Sequence, residues 1–147
     1  MIKLKKLITE FTDNNFSYKR YSNNLRNQSK VKNFLKSVGI GNIDVKGPEK
    51  HLKKMEDKGL DTMFVHVLYH YIKGKDGKVY FLHQSQYWVS DYYDRFTGGE
   101  KINVTQLFVQ EAPNYPDDKG EKTIGVAMVP TDKLLAGLRK VDVIKKG

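Results

Sequence analysis

Residues 62–89 read TMFVHVLYHYIK (62–73), GKDG (74–77) and KVYFLHQSQYWV (78–89). Two runs rich in Val, Tyr, Phe and His flank Asp76-Gly77, and Asp-Gly between such runs is the strongest short-range hairpin signal. These residue types suit a pleated, half-buried surface. Taken as a two-residue loop, Asp76-Gly77 sets Lys75 opposite Lys78. His70 then lies opposite His83, and His66 opposite Tyr87, all on one face because strand side chains repeat every two residues. The other face gathers Val65, Val67, Tyr69 and Tyr71 with Tyr80, Leu82 and Trp88. That face is expected to pack on the helices, the alternative being a stacking platform for bases. A third loop residue would shift the pairing and undo both assignments.

Working outward, residues 101–111 and 122–129 read as two further strands, with an exposed loop at 112–121 that carries Pro113, Pro116 and Gly120. Residues 90–100 form a connection. Pro130-Thr131 starts a helix with Leu134, Leu135 and Leu138 on one face, and residues 141–144 form a last short strand. On the N-terminal side, residues 2–12 place Leu4, Leu7, Ile8 and Phe11 at helical spacing. Residues 13–28 are asparagine-rich and read as a polar arm, since Asn competes for backbone hydrogen bonds. Ser29 is the expected cap of a helix carrying Val31, Phe34, Leu35 and Val38, closed by Gly39. Gly47-Pro48 opens the next helix, with Leu52 and Met55 inward and Gly59 at its end. Helices first and an antiparallel meander after predict an α+β fold. Its parts are N-terminal helices, a mainly antiparallel sheet of four to five strands and a C-terminal helix. Residues 1–147 are expected to form a single domain, with 1–28 a leader plus mobile basic arm.

The chain has 147 residues, enough for one domain with a real core. Aromatics make up 12%, far from a disordered composition. No cysteine is present, which excludes disulfides, thiolate zinc sites and cysteine nucleophiles. No apolar run approaches the roughly 18 residues of a membrane span, and Lys3, Lys5 and Lys6 interrupt any secretory apolar segment. The expected location is cytoplasmic, or inside a virion, with no membrane partner.

Charge is the strongest functional signal. Residues 1–60 carry 14 Lys and Arg against 6 Asp and Glu, whereas residues 61–147 carry 12 against 11. No acid occurs between Asp13 and Asp44. That window holds Lys19, Arg20, Arg26, Lys30, Lys32 and Lys36, laced with aromatic residues such as Tyr18 and Tyr21. Charge of one sign concentrated in this way creates a field that points to a polyanion. Nucleic acid, DNA or RNA, is the expected partner, and a protein with an acidic surface is the alternative. Phosphate contacts from the six cations would lead, with Tyr18 and Tyr21 stacking on exposed bases.

Motifs for catalysis are sparse. Opposed His70 and His83 would form an acid–base pair for a metal-independent nuclease, with Lys78 stabilising phosphate charge. Asp91, Asp94 and Arg95 suit a surface pair. Gly39-Ile40-Gly41 lacks the Gly-Lys-Ser/Thr element of a phosphate loop and reads as a helix stop. No metal site and no cofactor are expected. Tyr87, Trp88, Tyr92, Tyr93 and Phe96 form an aromatic cluster that would anchor a protein partner if the chain were an inhibitor of a host factor.

The opening decapeptide, Met1-Ile-Lys-Leu-Lys-Lys-Leu-Ile-Thr-Glu10, resembles the capsid-targeting leader of internal head proteins of T-even-like tailed phages. Those leaders are short, amphipathic and lysine-bearing, and end in Leu/Ile-x-Glu, which Ile8-Thr9-Glu10 matches. The resemblance covers residues 1–10 alone. It implies cleavage after Glu10 and packaging with DNA. The leading expectation is therefore a non-enzymatic, basic, nucleic-acid-binding accessory protein, phage-encoded and virion-packaged.

Overall fold

A computed structural model describes residues 25–90, 100–117 and 119–144, with backbone only at 61, 63–66, 90 and 142. Its elements, in chain order, are α1 (Gln28–Ser37), α2 (Gly47–Asp57), β1 (Asp61–Lys73), β2 (Val79–Ser90), β3 (Glu100–Glu111), β4 (Lys122–Val129), α3 (Thr131–Leu138) and β5 (Asp142–Ile144). The strands form one sheet in the order β4-β3-β2-β1-β5, antiparallel at every junction. β1 to β4 make a meander, and α3 carries the chain from the β4 edge back to the β1 edge. The α+β class and the antiparallel sheet agree with the sequence. The expected helix over 2–12 and most of the 90–100 connection lie outside the described residues. No described helix is long and apolar enough to cross a membrane.

The helices form where apolar spacing allows burial. Val31, Phe34 and Leu35 are buried on α1, and Pro48 and Leu52 on α2. Two expectations change in detail. The cap position of α1 is Asn27, in the left-handed conformation (φ 52°), rather than Ser29, and it makes no side-chain capping bond. Asn tolerates that conformation, which lets the chain turn from an extended segment into the helix. On α3, Leu134 and Leu138 are buried with Gly137, while Leu135 is exposed.

The sheet separates two apolar clusters. On one side, here the α1 face, Ile72, Tyr80, Leu82, Leu107, Val109, Ala127 and Val129 meet Val31, Phe34, Leu35 and Val38. Ile40, Ile43 and Val45, with Leu134 and Leu138 of α3, complete that cluster. On the other side, the α2 face, Tyr87, Val89, Ile102, Val104 and Met128 meet Leu52, with Leu25 and Met55 at the margin. Coverage is therefore unequal, since α2 packs at only one end of its face.

Part of the expected mobile arm is pinned. Arg26 exchanges both backbone hydrogen bonds with Val126 on β4, at 3.1 and 2.9 Å. The approach needs Gly125, where a Cβ would stand 2.8 Å from the Arg26 carbonyl oxygen and 2.9 Å from that of Asn27.

The β1–β2 turn has three residues, not two. The Gly74 N–H donates to the Lys78 carbonyl (2.9 Å), and the Gly77 N–H to the Gly74 carbonyl (3.0 Å). Lys75, Asp76 and Gly77 form the loop, and Gly77 adopts φ +82°, the left-handed ending typical of three-residue hairpins. The Asp76 carboxylate accepts the Lys78 N–H at 2.9 Å and the Tyr80 hydroxyl at 2.7 Å. The Tyr80 hydrogen bond, with the Lys78 N–H behind it, holds Asp76 below its ordinary pKa. Lys73 thus pairs with Val79, Tyr71 with Phe81, His70 with Leu82, and Tyr69 with His83. Past a bulge between Phe64 and His66, Tyr87 pairs with Phe64, and His66 pairs with Gln86. The expected His70–His83 and His66–Tyr87 pairs are not formed, because one more loop residue shifts the register by one.

Substitution should separate the two glycine roles. A Cβ at Gly77 meets nothing within 4 Å, so Gly77→Ala should cost only the left-handed backbone term, about 1 kcal/mol. Gly125→Ala drives a methyl into backbone oxygens and should cost about 2–3 kcal/mol. Urea denaturation of both variants checks this, and equal losses would contradict the close-approach role of Gly125.

Candidate functional site

Three groups of residues stand out. The first is basic. Arg26, Lys30 and Lys36 are exposed and Lys32 is half-buried, all on the segment that runs along β4 and through α1. α1 has no acid in its first turn and ends on Lys36. These cations lie on the outer side of the α1 layer, next to the pinned backbone of Arg26. Tyr18, Lys19, Arg20 and Tyr21 lie outside the described residues. A second set of cations, Lys50, Lys53, Lys54 and Lys58, is exposed along α2 on the opposite side of the sheet.

The second group is the histidines. His70 sits on the α1 face, where the buried Gln84 amide donates from Nε2 to His70 Nδ1 at 2.5 Å. Accepting there requires an unprotonated Nδ1. His83 sits on the α2 face, its ring stacked on Tyr69 with centroids 4.7 Å apart and planes 10° from parallel. Its Nε2 is buried and has no hydrogen-bond partner among the described residues. Burial holds both imidazoles below the ordinary value of 6.5. The sheet lies between the two rings, so they cannot share a metal ion or pass a proton between them. Lys78 pairs instead with Glu111, at 3.8 Å. Among the described residues no group of three or more His, Cys, Asp or Glu is placed to hold a metal ion. Asp91, Asp94 and Arg95 lie outside the described residues.

The third group is aromatic, on strands whose face was expected to pack on the helices, with a stacking platform as the alternative. The register splits the face expected to pack on the helices. Tyr80 and Leu82 enter the α1 core, where Tyr80 meets Phe34 edge-on at 4.7 Å. Val67 and Tyr69 point the other way and remain 46% and 45% exposed. Around them runs a continuous row of rings, Tyr115–Tyr71 at 4.7 Å, Tyr71–Phe81 at 5.0 Å, Phe81–Tyr69 at 5.8 Å and Tyr69–His83 at 4.7 Å. Phe108 stands beside His83 on β3, half-buried. The only sequence signal for this arrangement was the second glycine, Gly74, which makes GKDG fit a three-residue loop as well as a two-residue one. Only two residues of the aromatic cluster expected at the end of β2 are described. Tyr87 is fully buried under α2 and Trp88 is half-buried, while Tyr92, Tyr93 and Phe96 lie outside the described residues.

Both histidines have folded-state pKa values below 6.5. Between those values and 6.5 the unfolded chain binds more protons than the folded one. Stability should therefore be level above about pH 7.5 and fall as pH drops through about 6.5. Unfolding free energies from urea titrations across this range should show that slope, and His83→Phe, which keeps a stacked ring, should make it shallower. A flat profile between pH 7.5 and 5.5 would contradict the burial of these imidazoles.

Comparison with protein-family models, curated proteins and solved structures returns no match, so the reading of this chain rests on its own residues and geometry.

Proposed function

We propose that this protein binds nucleic acid without catalysing a reaction, and that its basic N-terminal third neutralises backbone phosphates. The observation that carries the reading is the charge distribution, 14 cations against 6 acids in residues 1–60 and no acid between Asp13 and Asp44. Where the structure describes that window, Arg26, Lys30 and Lys36 are exposed and free to meet a polyanion. Phosphate contacts of this kind position a protein and supply salt-sensitive affinity without reading sequence. The nuclease alternative needed His70 and His83 side by side, and they stand on opposite faces of the sheet. Of the aromatic cluster on which the inhibitor alternative rests, Tyr87 is in the core, Trp88 is half-buried, and Tyr92, Tyr93 and Phe96 lie outside the described residues. On this proposal the leader-like residues 1–10 belong to an accessory protein packaged in a virion together with DNA.

The test is a fluorescence-anisotropy titration with labelled DNA and RNA at several salt concentrations. Log affinity should fall linearly with log salt, with a slope of about −0.9 per phosphate neutralised on duplex DNA. Replacing Arg26, Lys30 and Lys36 by Gln should make the slope shallower by about one unit per lost contact and leave the unfolding midpoint nearly unchanged. Absence of binding to any of these ligands at low salt would overturn the proposal.

A further inference from the structure

We infer that the open half of the α2 face is a stacking surface for unpaired bases, which makes the ligand a single-stranded nucleic acid. This rests on the reading that the ligand is a nucleic acid, and it uses a different surface from the α1 cations. Four observations on that face support it together.

The first is the row of rings. Tyr115, Tyr71, Phe81, Tyr69 and His83 follow one another at centroid separations of 4.7 to 5.8 Å. Two of the contacts are stacked and two tilted, and rings that already hold one another lose little side-chain entropy when a base binds. The second is exposure. Tyr69 and Val67 are the most open members, at 45% and 46%, on the stretch of β1 that forms the sheet edge beyond the short β5. Exposed aromatic side chains on a sheet are what single strands stack upon.

The third is charge. Residues 67–73, 79–85 and 106–110 contain no carboxylate. Lys73 shares this face, because it follows Tyr71 by two residues and pairs with Val79, and its partner on the other side is Asp142 of β5. At the other end stands α2 with its exposed lysines. It packs on Tyr87, four residues and about 13 Å along β2 from His83. An extended backbone crossing the rings would therefore meet the exposed lysines of α2 at one end. The fourth is polarity at the margin. Gln106 pairs with Ser85, and Gln110 with Phe81, which places both amides on this face. Amides beside a stacking surface can bond to base edges without a charge requirement.

Duplex DNA fits poorly, since its bases are stacked on each other and present no free faces to the rings. An apolar protein segment would fit the rings but not the exposed lysines of α2.

The experiment compares a labelled oligothymidylate with a duplex of equal length, using the full chain and the variants Tyr69→Ala, Tyr69→Phe and Val67→Glu. The wild-type protein should prefer the single strand. Tyr69→Ala should weaken it about tenfold, within the range for loss of one base stack, and leave duplex affinity and salt slope unchanged. Tyr69→Phe should restore binding. Val67→Glu, an exposed change that adds a carboxylate beside the rings, should weaken the single strand by repulsion, so the inference stays open to disproof if Tyr69→Ala misfolds. Unchanged single-strand affinity in both Tyr69→Ala and Val67→Glu, with wild-type binding intact, would overturn the inference and leave phosphate binding standing. No binding of either ligand by the wild-type chain would overturn both. Loss of an acidic protein partner in these variants, with oligonucleotide affinity intact, would assign the face to protein docking and overturn the inference.

Discussion

The left-handed turn at Gly77 controls more of this molecule than its size suggests. A three-residue loop closes on the Gly74–Lys78 hydrogen bond, and every pair along β1 and β2 follows from it. Because side chains alternate every residue, one residue of register decides which half of β1 is covered. Ile72 goes under α1, and Tyr69 and Tyr71 go to the other side. The Asp76 carboxylate reinforces the choice by tying the turn to Tyr80, whose ring packs on Phe34. Turn, register and core are thus one connected decision.

That decision also sets the electrostatics of the histidines. His70 enters a partly buried position where the Gln84 amide satisfies one ring nitrogen. His83 lies against Tyr69 on the far side, with a buried nitrogen that lacks a partner among the described residues. A buried polar group in that state destabilises the fold relative to a satisfied one. The α2 face has a helix packed over one end, at Tyr87 and Leu52, and partly exposed rings over the rest.

Much of the architecture was legible in residue order. The strands at 122–129 and the helices opening at Gly47 and Thr131 follow from Pro, Gly and apolar spacing, all local signals. The segment at Arg26 was not legible. Nothing in an asparagine-rich stretch announces that it will pair with β4, since the partner, Val126, is a hundred residues away and the fit depends on Gly125. The candidate site was half legible. Lys30 and Lys36 of α1 are exposed and Lys32 is half-buried, while the aromatic face was expected to pack on the helices because alternation shows which residues share a face, not which face is covered.

The sequence alone therefore determined the kinds of elements, their order, the α+β class and the concentration of positive charge in the first sixty residues. These depend on propensity, periodicity and composition, which act over a few residues. Only the tertiary structure decided the register of β1 on β2, the separation of His70 from His83 and the exposure of Tyr69. Those depend on the closure of one turn and on where α1 and α2 come to rest, and such long-range choices are made by packing between segments that no local window contains.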